Sequence, residues 1–200
     1  MKEERCSWCL STPLYRRYHD DEWGRPVTDD KTLFEFLLLE GAQAGLSWIT
    51  VLNKRENYRR LFDDFSVEKI ARYTPKKVEK LLQNPGIIRN RLKVESAVKN
   101  ARATLALRDK GTSLSQFLWQ FTGGRVIVNH PVSLGQVPAS TPESDAMSKA
   151  LKKAGFSFVG STIMYAHMQA TGMVNDHLHT CPAHQRCVDA AQAAGLTTGQ

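Results

Sequence analysis

NPGIIRNRLK, residues 84–93, lies between two stretches of helical periodicity and turns the chain back between them. Upstream, Thr74 and Pro75 read as N-cap and first helical position, and Val78, Leu81 and Leu82 fall on one face. Downstream, a long amphipathic run covers Ile88–Asp109, with Leu92, Ala97 and Leu105 among its core candidates, and Gly111 stops it. Residues 75–100 therefore take the shape of a helix–hairpin–helix. Gly86 permits the tight turn. The free N–H groups that open the second helix, with Ile87 and Ile88 beside them, can face a phosphate. Arg89, Arg91 and Lys93 add attraction to a polyanion that is independent of sequence. Such a unit grips a nucleic-acid backbone and reads no base. An ordinary αα-hairpin with a solvated basic face is the competing account.

The rest of the chain is helical in the same way. Thr28, Asp29 and Asp30 can cap a helix carrying Leu33, Phe34 and Leu37, which Gly41–Gly45 should break. A second helix carries Ile49, Val51, Leu52 and Tyr58 to about Phe62, and Ser66 caps a short one through Ile70. Phe117–Phe121 reads as a short apolar helix. Ser140 and Glu143 suggest a capping box for a helix that ends before Gly155. Gly160–Ala170 is apolar nearly all round and is expected at the centre. RVIVN, residues 125–129, is the one strand-like run and too short to support a sheet, so the expected class is all-α. Residues 1–188 read as a single unit, and the small, polar tail 189–200 is expected to fray.

The chain has 200 residues, 42% of them hydrophobic and 24% charged, which is ordinary for a globular protein. No apolar run approaches the roughly 20 residues a membrane span needs. The start, MKEERCSW, has charge but no apolar core and is not a secretory signal, so a cytoplasmic protein is expected. A formal net charge of +7 favours polyanionic partners.

Between Phe34 and Tyr58 the sequence reads FEFLLLEGAQAGLSWITVLNKRENY. Glu40 ends an apolar run and is followed by small residues and then Trp48. An ionised carboxylate beside apolar surface loses hydration at a cost of several kcal/mol unless something compensates. Glu40 is thus either paired internally, for instance with Arg55, or meant to meet a ligand. Trp8, Tyr15, Tyr18, Trp23 and Trp48 crowd into the first 48 residues. Aromatic faces can sandwich a flat base and favour a cationic one further. The alternative fate is the hydrophobic core.

All 4 cysteines lie near the ends: Cys6, Cys9, Cys181 and Cys187. His19, His177, His179 and His184 accompany them. Tetrahedral zinc takes four such S or N ligands. Spacing alone favours Cys6, Cys9, Cys181 and Cys187, a set that would clamp the termini together and leave no open position for catalysis.

Several segments together resemble the 3-methyladenine DNA glycosylase I family. They are RCSW (5–8), PLYRRYHDDEWGRPV (13–27), LEGAQAGLSWITVLNKRENYR (39–59), NPGIIRNRLK (84–93), STPESDAMSKALKKAGFSFVG (140–160) and MVNDH (173–177). The resemblance implies a helix–hairpin–helix glycosylase fold with a zinc-binding element built from residues 1–20 and 173–188. It implies a structural Zn2+ held by Cys6, His19, His177 and Cys181, with Cys187 or His184 as possible replacements for Cys181. It places Glu40 in the base pocket as the catalytic carboxylate, with Tyr18 and Trp48 stacking on the base and Trp8, Trp23 and Tyr15 shaping the cavity. Gly45 and Leu46 would form a wedge, and Gly86, Ile87, Ile88, Arg89 and Arg91 would hold the backbone. The implied activity is monofunctional excision of 3-methyladenine from alkylated double-stranded DNA by a monomer, with the free base as product. A glycosylase–lyase, a zinc-stabilised binder of distorted DNA and a binder of free alkylated purines are the alternatives.

Overall fold

The run Leu33–Ala42 is buried on every side, and the other elements are laid around it. The computed structural model describes residues 4–199. Residues 1–3 of the expected terminal element and Gln200 of the expected tail lie outside the described residues. In chain order the helices are α1 (Pro13–Asp21), α2 (Asp30–Gln43), α3 (Trp48–Leu52), α4 (Arg55–Leu61), α5 (Val67–Ala71), α6 (Pro75–Leu82), α7 (Arg91–Asp109), α8 (Leu114–Trp119), α9 (Pro142–Lys153), α10 (Ser161–Ala170) and α11 (Pro182–Ala193). No helix among the described residues is long and apolar enough to cross a membrane.

Local chemistry explains most boundaries. The Asp29 carboxylate accepts from the Thr32 N–H and opens α2. Thr74 caps α6 with Pro75 behind it, Ser66 caps α5, and Asn90 caps α7 by accepting from the Lys93 N–H. α10 packs on both α9 and α2, and α7 packs on α5 and α6. Lys93 reaches from α7 to donate to the carbonyls of Ala42 and Ala44, so it holds the C-terminus of α2, where orphan carbonyls favour a cation.

Five expectations need correction. The protein is mostly helical but not all-α: β1 (Val126–Val128) pairs in parallel with β2 (Val174–Asn175) on one side and β3 (Thr198–Gly199) on the other. The strand-like run is indeed short, but its partners come from distant parts of the chain and leave no local signal. The tail is not frayed, because α11 continues to Ala193 and Thr198–Gly199 forms β3. The long helix begins at Arg91 and not Ile88, and Leu92, its second residue, is exposed. The helix expected to reach Phe62 is two, divided at Asn53–Lys54, whereas the break expected over Gly41–Gly45 is found there, with α2 ending at Gln43. The capping box belongs to Thr141 and Ser144, one residue later than Ser140 and Glu143, with Pro142 at the first helical position.

Gly172 fixes how the chain after α1 docks on α10. Its φ is +69°, and a Cβ there would lie 2.3 Å from the Arg25 carbonyl carbon and 2.4 Å from the Pro26 nitrogen. The flanking bonds, Gly24 N–H to the Gln169 carbonyl and Val27 N–H to the Thr171 carbonyl, leave that backbone no room to retreat. Gly172→Ala is expected to cost at least about 3 kcal/mol through strain and clash, lowering Tm by roughly 10 °C in thermal unfolding. An unchanged Tm would show that the segment 24–27 can move aside.

Candidate active site

Glu40 sits near the end of α2, 4% exposed, at the floor of a cavity of about 150 Å³. Trp8, Tyr15, Tyr18, Trp23, Gln43, Trp48, Ala166 and Gln169 line the rest of it. A cavity of that size suits one small aromatic ring system. Among the described residues no cation pairs with Glu40. The expected partner, Arg55, is committed elsewhere: it donates to Glu35 at 2.6 Å and to Glu22 at 2.6 Å, and Arg59 shares Glu35 at 2.8 Å. A buried glutamate–arginine pair does exist, but it uses the glutamate five positions earlier in the chain. Burial without a counter-ion pushes the Glu40 carboxyl up to about 8. The Tyr18 hydroxyl, buried and facing that carboxyl, is held well above the ordinary phenol range.

The walls are aromatic and mutually braced. Tyr18 and Trp48 lie with ring centroids 5.4 Å apart, and Phe36 stacks behind Trp48 at 6.5 Å. Trp8 packs on Tyr15 at 4.9 Å and edge-on to Trp23 at 5.1 Å. The indole N–H of Trp48 is buried with no acceptor among the described residues, a donor free for a ligand. Sequence reasoning missed Gln43, Ala166 and Gln169. Gln169 donates to Asp176, which also accepts from Tyr165 and, at 2.7 Å, from Asn129. The MVNDH segment thus orients a pocket side chain through its Asp. A polar residue on the centre-facing helix was the available clue.

The other faces of Trp8 and Trp23 rest on a buried cysteine–histidine cluster. The ligand atoms of Cys6, His19, His177 and Cys181 all lie within 4.8 Å of one another. The separations are 3.7 Å from Cys6 Sγ to His177 Nδ1, 3.6 Å from Cys181 Sγ to His19 Nε2, and 3.2 Å between the two ring nitrogens. Tetrahedral zinc with bonds of about 2.3 Å to sulfur and about 2.05 Å to nitrogen requires edges near 3.3–3.8 Å, so the donor set fits. The remaining ring N–H groups are occupied, His19 Nδ1 by Asp20 at 2.8 Å and His177 Nε2 by the Trp23 carbonyl at 2.9 Å. Hydrogen bonds from Cys6, His177 and His19 hold the Cys181 thiol well below its ordinary range. The set favoured by spacing is not the one brought together. The Cys9 thiol turns to the Cys6 carbonyl and that of Cys187 to the Trp23 carbonyl, while His184 bonds the Asn129 carbonyl.

The hairpin between α6 and α7 presents less than its sequence suggests. Gly86 is not in the left-handed region, and a Cβ there would meet the Asn84 side-chain oxygen at 2.8 Å and Asn57 at 3.1 Å, so side chains there would have to shift. Ile87 is buried in the core, and the Ile88 N–H donates to the Tyr58 hydroxyl. Arg91 is held by Glu79 in a bidentate pair at 2.6 and 2.9 Å. Arg89 is exposed with no acid on it among the described residues. Gly45 and the exposed Leu46 lie between the pocket residues Gln43 and Trp48.

An aromatic slot with an unpaired buried carboxyl has the chemistry to accept a flat ring that carries or gains positive charge. The family profile of the methyladenine glycosylases matches residues 8–184, and the chain belongs to that family. The DNA-3-methyladenine glycosylase 1 of Escherichia coli (strain K12) is 52% identical over 178 residues, covering 89% of this chain and 95% of that one. A crystal structure of 3-methyladenine DNA glycosylase I shares a TM-score of 0.88 at 54% identity, over 90% of this chain and 98% of that one. A structure concerned with 3-methyladenine recognition by the 3-methyladenine DNA glycosylase I of Staphylococcus aureus gives 0.88 at 34% identity, over 91% and 97%.

Proposed function

We propose that this chain excises 3-methyladenine from alkylated duplex DNA by flipping the nucleotide into the Glu40 pocket, leaving an abasic site and no strand break. The observation that carries the reading is Glu40 itself, a buried carboxyl among aromatic rings that no cation among the described residues neutralises. Methylation at N3 makes adenine cationic and a good leaving group, so no strong acid is needed. The glycosidic bond breaks with its electron pair going to the base, which becomes neutral. Water adds to the sugar carbon and releases a proton. What the protein supplies is exposure of the nucleotide and selection of its charge. Entry of the cation favours ionised Glu40, and the rings of Tyr18 and Trp48 add cation–π attraction that neutral adenine lacks. Trp8, Trp23 and Tyr15 close the slot. Extrusion costs a few kcal/mol, less for a damaged pair, and the Gly45-Leu46 turn fills the gap.

Monofunctional chemistry is supported by Lys93. Its amine is spent on the Ala42 and Ala44 carbonyls, the Lys54 amine is spent on the Pro85 carbonyl of the hairpin, and neither lysine lines the pocket. The cysteine–histidine set is read as a structural zinc site, closed by four ligands; zinc there would act only by holding the terminal segments, and with them Trp8 and Trp23.

In the helix–hairpin–helix reading, α6 and α7 hold the DNA backbone around Gly86, Ile87, Ile88 and Arg89. Arg89→Ala is expected to reduce the magnitude of the log Kd against log[salt] slope by about 1, the share of one phosphate contact, whereas Arg91→Ala moves it less because Glu79 already occupies Arg91. Equal effects of the two in a salt series would remove the distinction.

The deciding experiment is base release from methylated duplex DNA with the freed purines identified by mass. Release of 3-methyladenine with 7-methylguanine left in place is expected. No release from a protein that still binds DNA would leave a DNA-structure binder, and nicking without added base would reveal a lyase.

A further inference from the structure

A second group of imidazoles, one of them on the loop that carries His177 and Cys181, lines no part of the base pocket. His130 follows β1, His179 follows β2, and His184 sits in the first turns of α11. One ring nitrogen of each lies within 4.8 Å of the others, and the Nδ1 atoms of His130 and His179 are 3.3 Å apart. Two imidazole ligands on a tetrahedral ion, with bonds of about 2.05 Å, stand about 3.3 Å apart. Ring centroids separated by 5.0–5.6 Å complete a three-sided cup.

The cup is built on fixed backbone. The His179 N–H donates to the Pro131 carbonyl at 2.8 Å, tying its loop to the strand end that carries His130. The Asn175 side chain donates to the His184 carbonyl at 2.9 Å. His184 Nε2–H donates to the Asn129 carbonyl at 2.7 Å, the kind of outer bond that orients a metal-bound imidazole, and leaves Nδ1 with its lone pair. His184 is buried, whereas His130 and His179 are exposed on a cavity of about 310 Å³ that Val128, Gln185, Val188 and Thr198 also line.

We infer that His130, His179 and His184 form a second metal site, distinct from the cysteine–histidine cluster, that takes a borderline divalent transition metal such as Zn2+ with one coordination position open to solvent. Three neutral imidazoles without thiolate or carboxylate suit Zn2+, Ni2+ or Cu2+ and discriminate against Mg2+ and Ca2+, which need oxygen ligands. The open position faces the cavity, where it can hold water or an anionic group. An ion there would also tie the end of β1 to the start of α11 beside the pairing with β3.

The test counts metal in the full chain. Wild type and the double variant His130→Ala/His179→Ala are saturated with Zn2+, freed of excess by gel filtration, and assayed for zinc per chain by mass spectrometry, with circular dichroism as the check on folding. The variant is expected to hold one equivalent fewer than wild type. Because the result is a difference, it holds whether or not the cysteine–histidine cluster also binds zinc. Equal equivalents in both proteins would overturn the inference. Should the alanine pair perturb the fold, His130→Gln/His179→Gln must show the same loss of one equivalent, and retention there overturns it equally.

Discussion

Glu40→Gln is expected to be more stable than the parent and nearly inactive. The carboxyl is held near 8 in the folded pocket against an ordinary value near 4.5, so between these two pH values the folded state binds more protons than the unfolded chain. The stability of the parent therefore falls as pH rises through that window, by at most about 1.4 kcal/mol per unit, and levels off above it. Glutamine has the same shape and never ionises. The variant should gain up to about 3 kcal/mol at pH 7, with the gain shrinking toward nothing below pH 4.5. Denaturant melts of both proteins at pH 4.5 and pH 7 measure this. Base release should fall at least 100-fold, since the amide cannot neutralise the cation, a loss of about 3 kcal/mol in transition-state binding. In the parent, base release should rise with pH toward 8 as Glu40 ionises more easily. A variant that releases 3-methyladenine at the parent rate would separate Glu40 from the chemistry altogether.

On the proposed zinc reading, loss of the ion from the cysteine–histidine cluster should be the most damaging change to the fold. Cys6, His19, His177 and Cys181 are all buried, and they join segments from the two ends of the chain. Without an ion, lone pairs arranged to meet a cation face one another in a dry interior, at a cost of several kcal/mol. The rest of the core is large enough to survive, so destabilisation and not outright unfolding is expected. Cys181→Ser, or a strong chelator on the parent, should lower Tm by about 10–15 °C. Base release should fall with it, because Trp8 and Trp23 pack directly against His19 and His177. An unchanged Tm and full base release in the chelated protein would mean that the rings alone hold the segments.

The degree to which the sequence announced this arrangement follows from how local each signal was. Helix starts at Asp29, Ser66 and Thr74 depend on a side chain bonding an amide three residues on, and they are readable within a few residues; Asn90 makes the same bond, but the start was expected at Ile88. Glu40 was legible because an acid at the end of an apolar run is costly without a partner. That Arg55 is not that partner was not legible, because Glu35, also on α2, competes for it at a distance only the fold sets. The sheet was missed because β1 alone is three residues long, and its neighbours enter from residues 174 and 198. Spacing chose the wrong cysteines for the same reason. C-x2-C is a local pattern, while the set that converges joins residues 171 positions apart.

That separation bears on how the protein is made. Cys6 leaves the ribosome 171 residues ahead of its partner His177. At about 5–20 residues per second, the interval is roughly 10–35 s, during which Trp8 and Trp23 have no cluster to rest on. The aromatic wall cannot be completed on a nascent chain, however well α2 and its neighbours have already packed. A chain that stops after Gln169 but before His177 would carry every pocket residue and still lack the support beneath Trp8 and Trp23. Arrival of the segment that carries His177 and Cys181 thus separates a braced binding slot from an unbraced one.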